Sequence, residues 1–189
     1  QLFPLVSEAV GTLVPLEDLR WIAFGHFEAD ECGSMNQFLA AAPGAQITHG
    51  ALGCMVSLND MADRPPVPLE DGQVIELGSH RVRHIDTPHV PHGWEARLIF
   101  DETTGTLFCG DLMTQLGEAD PLVDNDVLAA AAVAEDMFGA TCLTPATAPT
   151  IRRLADLGAT TLATMHGSAF NGDASAALNA LADSYDERL

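Results

Sequence analysis

The chain contains no lysine. All eight basic residues are arginine, set against 27 acids, and the formal net charge is −19 at pH 7. A surface this acidic repels phosphate backbones and anionic lipid, which argues against nucleic-acid and membrane-surface binding. No apolar run reaches the length of a membrane span. No basic segment leads into an apolar stretch, so no secretory signal is expected and the reading is cytoplasmic. The sequence opens on Gln1 and not on Met, so trimming or missing chain is expected there. There is no C-x-x-C pair either. Cys32, Cys54, Cys109 and Cys142 are scattered, as reduced and mostly buried thiols of an intracellular chain would be. Internal repeats and low-complexity linkers are absent too, and 189 residues, nearly half of them apolar, suit one globular domain over 1–189.

What is present alternates between strand and helix signals. A short helix is expected over 3–12, with Phe3, Val6 and Val10 on one face. Arg20 to Phe24 reads as a buried strand. Ser34-Met35-Asn36-Gln37 has the form of a capping box, opening a helix that stops at Pro43-Gly44. Strands are expected at 46–48 and 54–58, and a loop over 59–71. A hairpin joins 73–77 to 80–85 through Gly78-Ser79, the sequence form of a type II′ turn. A second hairpin joins 96–100 to 106–109. Helices follow over 124–138 and 149–157, the latter closed by Gly158. A strand over 160–164 and a helix from about Asp173 complete the chain. Hairpins flanked by helices predict sheets covered by helices, in an α/β or α+β layered domain.

The informative stretch is His26-Phe27-Glu28-Ala29-Asp30-Glu31, between the first strand and the capped helix. At i, i+2, i+4 spacing an extended loop aims side chains to one side. One imidazole sits among several carboxylates with no arginine beside them. Acids so crowded repel one another and call for a cation. The imidazole points to a transition metal over calcium or magnesium. Three further segments end a strand with a metal-type residue: Thr87 to Trp94 with His89 and His92, Cys109-Gly110-Asp111, and Met165-His166-Gly167. Loops at one sheet edge are where sites are usually built. Taken together, His26, Glu28, Asp30, His92, Asp111 and His166 are the candidate ligands, with Glu31 and His89 as further candidates. His89 competes with His92 for one position. The spacing to Glu95 favours His92, and the other histidine is expected to orient a ligand. His49, His80 and His84 read as strand or surface residues. Trp94 and Phe27 read as walls of a pocket or as core. Cys32 reads as a core or helix-start thiol.

These motifs and their order resemble the metallo-β-lactamase superfamily over about residues 20–180. Its opening motif, later His, Gly-Asp after a strand, and final His before the last helix are all matched in order. Glu28 in place of the second His, with His92-Gly93-Trp94-Glu95 later, is similar to the flavodiiron proteins and the oxygen-binding di-iron domains. The resemblance implies an αββα sandwich, whose first strands are absent here or supplied otherwise. It implies one iron on His26, Glu28 and His92, and a second on Asp30 and His166, with Asp111 bridging. Glu31 stands where the family usually has a histidine on the second metal. It either ligates through its carboxylate or points away and leaves a position open.

The function so implied is a non-haem di-iron protein that binds or reduces dioxygen, as a sensor or a low-turnover oxidoreductase. No FMN segment lies within the chain, so electrons or signal would pass to a separate partner protein. Flavodiiron relatives dimerise, which makes a homodimer possible for this chain. Zinc or manganese is the alternative metal. Two zinc ions would make a metallo-hydrolase of the same fold, against which Glu28 argues. The non-enzymatic alternative is an interaction module that keeps the metals as structural ions.

Overall fold

A computed structural model describes residues 2–189, so the expectation about the chain's start at Gln1 lies outside the described residues. The chain divides into two compact units, 1–71 and 72–189.

The first unit holds α1 (Phe3–Gly11), β1 (Trp21–Ala23), α2 (Ala29–Cys32), α3 (Met35–Ala41), β2 (Gln46–Gly50), α4 (Ala51–Gly53), α5 (Asn59–Met61) and β3 (Val67–Leu69). Its three strands form a parallel sheet in the order β1-β2-β3. Parallel neighbours need a long crossover, and the helices supply it. Met35 and Leu39, four residues apart on α3, turn inward onto Phe24, Ile47, Cys54 and Leu58. The Arg64 guanidinium closes the C-terminal end of α3. It donates to the Leu39 carbonyl at 2.6 Å and the Ala45 carbonyl at 2.7 Å.

Four expectations are corrected in this unit. Residues Cys54–Leu58 form π-helical turns, not a strand. Cys54 and Leu58 are the buried pair, and that spacing of four is helical. Val67–Leu69, expected as loop, is an edge strand, where Pro68 is tolerated. Ser34 precedes α3 but makes no side-chain capping bond. Lastly, only Glu28 of the acidic motif is extended; Asp30 and Glu31 sit in the first turn of α2.

The second unit holds β4 (Val74–Leu77), β5 (His80–Asp86), β6 (Arg97–Asp101), β7 (Thr106–Gly110), β8 (Leu122–Val123), α6 (Leu128–Phe138), α7 (Thr147–Ala155), β9 (Thr161–Thr164), β10 (Ala169–Phe170) and α8 (Ala174–Asp186). Its sheet runs β4-β5-β6-β7-β9-β10-β8. Both expected hairpins form, and Gly78 takes a φ of 69° in the first, as a II′ turn requires. The core gathers Leu107, Leu162, Ile151, Leu154 and Leu178, each fully buried. Asp173 caps α8, accepting from the Ala176 N–H at 2.9 Å. The Ala-rich helix starts at Leu128 and not at 124, because 122–123 is a strand and the Asp126 carboxylate accepts from the Leu128 N–H. Strands β8 and β10, two residues each, carry no alternation from which to foresee them. No described helix is long and apolar enough to cross a membrane.

Strand direction decides where the loops fall. Strand β5 is antiparallel to β6, β6 is antiparallel to β7, and β7 is parallel to β9. So β5, β7 and β9 run the same way and end at the same edge. The loops carrying His92, Asp111 and His166 leave from those three ends.

Candidate metal centre

In the first unit, His26 follows β1 and is 3 % exposed. The segment before it is fixed by rings: Phe24 packs edge-on against Phe27 at 5.0 Å, and the two lie 4.9 and 5.4 Å from the His49 ring. Phe27 is therefore a packing residue, and His49 is fully buried on β2, a strand residue far from any surface. The two nitrogens of His26 meet different carboxylates. Nε2 lies 3.6 Å from Glu28 Oε2, and Nδ1 lies 3.4 Å from Glu31 Oε1. The second Glu31 oxygen accepts from the Gly25 N–H at 2.5 Å. Burial opposes ionisation of Glu31, but the His26 ring and the Gly25 N–H outweigh it and hold its carboxyl below the ordinary value. Asp30 is exposed on α2 and lines a cavity of about 680 Å³ bounded by α1, β1 and α3. Cys32, at the end of α2, is buried. Its thiol is pushed up by burial and by the nearby Glu31 and Asp30 charges, which makes it an unreactive core thiol.

In the second unit, Asp111 directs its two carboxylate oxygens at two different histidines. Oδ2 lies 3.6 Å from His92 Nε2, and Oδ1 lies 3.5 Å from His166 Nε2. The loops that hold these groups are tied down. The Asp111 carbonyl accepts from the Thr114 N–H and hydroxyl. Gln115 donates its N–H to the His166 carbonyl at 2.9 Å. Gly167 has φ of 105°, and a Cβ there would meet Gln115 Cβ at 2.6 Å, so only glycine fits. A register shift in the β7–β9 pairing between Phe108 and Gly110 falls next to Asp111, where such irregularities re-aim a side chain.

His89 goes elsewhere. It is exposed, with φ of 66°, and its Nδ1 lies 3.9 Å from Cys142 Sγ. Trp94 is 56 % exposed, so it is not core, while Glu95 is buried. His80 and His84 are strand residues, as expected. His80 Nδ1 pairs with Asp101 at 2.7 Å, and the fully buried His84 pairs with Asp86 at 2.7 Å.

The contrast in distance tests whether the residues suit a metal. Ordinary imidazole–carboxylate hydrogen bonds here are 2.7 Å long. The pairs around Asp111, and the His26–Glu28 pair, stand 3.5 to 3.6 Å apart. Two ligands on one ion, with bonds of about 2.1 Å at angles of about 110–120°, are spaced by roughly 3.4–3.6 Å. Imidazole and carboxylate donors at this spacing suit iron, zinc or manganese. Sequence reasoning missed the position of Glu31, because the turn that folds it behind His26 is only four residues long.

The profile of the "ODP family beta lactamase" matches residues 1–167 of the chain. No curated protein sequence matches it. Among solved structures, the peroxy di-iron species of a chemotaxis sensor ODP superposes with a TM-score of 0.81 at 19 % identity, covering 100 % of this chain and 84 % of that one. The apo state of the chemotaxis sensor ODP from T. denticola gives 0.79 at 19 % identity, over 95 % and 75 % of the two chains. A metal-soaked flavodiiron core from Synechocystis sp. gives 0.76 at 20 % identity, with 98 % of this chain covering 47 % of that one. This chain thus spans about half the length of that flavodiiron protein, and the fold of all three is the fold found here.

Proposed function

The chain belongs to the ODP family of beta-lactamase-fold proteins, and on that premise we propose that it is a non-haem di-iron protein that binds dioxygen. One observation carries the reading: the Asp111 carboxylate turns one oxygen to His92 and the other to His166. A carboxylate shared between two ions has that arrangement. Within the first unit His26 and Glu28 stand at the spacing of two ligands on one ion, and within the second His92 and Asp111 do. One iron would rest on His26, Glu28 and His92, and the second on Asp30 and His166, with Asp111 common to both. When bound, ferrous iron supplies the electrons and open coordination positions that dioxygen requires. The residues contribute the rest. Glu28, Asp30 and Asp111 offset the charge of two divalent ions, and the ties from Thr114 and Gln115 keep Asp111 and His166 in place. We read 1–189 as one functional domain. Electrons or signal would pass to a separate partner protein. The two similar structures that are chemotaxis sensors favour the signalling form.

Metal analysis of protein purified without oxygen tests the proposal. About two irons per chain, lost on His26→Ala or Asp111→Ala, is the expected result. Two zincs per chain together with turnover of esters or lactones would replace it with the hydrolase reading.

A further inference from the structure

We infer that Glu31 is not a metal ligand but the positioning residue of His26, deciding which ring nitrogen meets the metal. The inference deepens the metal reading and rests on it. Position 31 follows Asp30 directly, and a carboxylate there could have completed the second metal's ligands. The structure gives it another task. Its side chain is 5 % exposed, whereas that of Glu28 is 48 % exposed. One of its oxygens is fixed within its own segment: Oε2 accepts from the Gly25 N–H, while the buried Oε1 stands 3.4 Å from His26 Nδ1, on the side of the ring away from Glu28. The first turn of α2 folds the carboxylate back onto the two residues at the head of the motif.

His26 therefore lies between two carboxylates, one at each ring nitrogen. An imidazole gives one lone pair to one ion and keeps a proton on the other nitrogen. Only one of the two glutamates can share an ion with this ring. Glu31 is the buried one, anchored to backbone, and it stabilises a proton on Nδ1. That leaves the Nε2 lone pair on the side of Glu28. The 3.4 Å separation at Nδ1 falls at the edge of the spacing of two ligands on one ion, so it is the burial of Glu31 and the anchoring of Oε2 by the Gly25 N–H, not the distance, that assign it to the proton. This is the carboxylate–histidine–metal arrangement by which supporting groups fix tautomer and orientation. The second metal is then left with Asp30, His166 and the shared Asp111, and position 31 adds nothing to it.

The test is a histidine side-chain nitrogen–proton correlation spectrum of the full chain titrated with zinc, a diamagnetic ion. Zinc bound at His26 Nε2, with a slowly exchanging downfield proton on Nδ1, is expected. In Glu31→Gln that proton should move upfield and exchange faster. The first zinc should bind roughly 10–100-fold more weakly, while excess zinc still fills both sites. Zinc on Nδ1 of the unaltered protein would overturn the inference without any variant. So would Glu31→Gln losing one zinc outright while the first binds with unchanged affinity, since Glu31 would then be a ligand. A chain that binds no zinc, or a His26 ring unmoved by it, would overturn the metal reading itself and this inference with it.

Discussion

Replacing Asp111 by Asn removes a shared carboxylate with almost no change of shape. Asn keeps one carbonyl oxygen but offers an amide nitrogen, which cannot ligate, in place of the other. One of the two histidine-facing oxygens is lost, along with the negative charge. Loss of groups that merely support a ligand weakens metal binding by about 10–100-fold, so loss of a shared ligand should weaken it by at least roughly 100-fold. With free metal at about 100 times the dissociation constant, binding stabilises the native chain by about 2.7 kcal/mol. After a roughly 100-fold weakening, the same metal concentration contributes only about 0.4 kcal/mol. For a chain of 189 residues, each kcal/mol moves Tm by about 2–4 °C. The metal-induced rise in Tm should thus fall from about 5–11 °C to about 1–2 °C. The assay is thermal unfolding of the metal-free chain and of the chain with ferrous ion, without oxygen. The metal-free Tm should barely move. An undiminished metal-induced rise in Asp111→Asn would refute the assignment of Asp111.

Three further outcomes follow from the packing. Arg64→Met removes the guanidinium that closes α3, where four backbone carbonyls face it. Urea unfolding should show a loss of roughly 2 kcal/mol, and a change within about 0.5 kcal/mol would dismiss the capping role. Gly167→Ala forces a Cβ against Gln115 and disturbs His166. Metal titration should show binding weakened about tenfold with the circular dichroism spectrum unchanged. Burial disfavours the charged form of Asp101, but bonds from His80, Thr104 and the Thr103 N–H outweigh it and lower its pKa. A lowered folded-state value means a contribution that is complete above the ordinary carboxylate pKa, near about pH 4, and is lost as pH falls through the folded value. Asp101→Asn should therefore cost stability at pH 6 and less at pH 3; an equal loss at both would contradict it.

The hairpins were legible in the sequence because Gly78-Ser79 and Asp101 to Gly105 are flanked by alternating runs, and alternation is a local signal. The order of His26, Glu28, His92, Asp111 and His166 was legible for another reason. Each follows a strand, and strand ends are marked by what interrupts the apolar pattern. What stayed hidden depends on the third dimension. Cys54–Leu58 is short, apolar and partly β-branched, so its residues suit a strand, and burial of Cys54 and Leu58 selects the helical period. Val67–Leu69 pairs with β2 across a crossover that proline and aspartate made look like plain loop. Glu31 could not be assigned from its neighbours, since its partners are the ring of His26 and the backbone of Gly25, reached only once α2 has turned. The separation of His92 from His89 likewise needed the sheet edge: the one stands beside Asp111 and the other beside Cys142.

Dioxygen binding at the paired irons is tested by reacting the anaerobically iron-loaded chain with dioxygen and following absorption spectra and oxygen uptake. A new near-ultraviolet or visible band on adding oxygen, uptake in proportion to chain concentration, and loss of both in Asp111→Asn are expected. Iron-loaded protein that takes up no oxygen and shows no spectral change would contradict such binding.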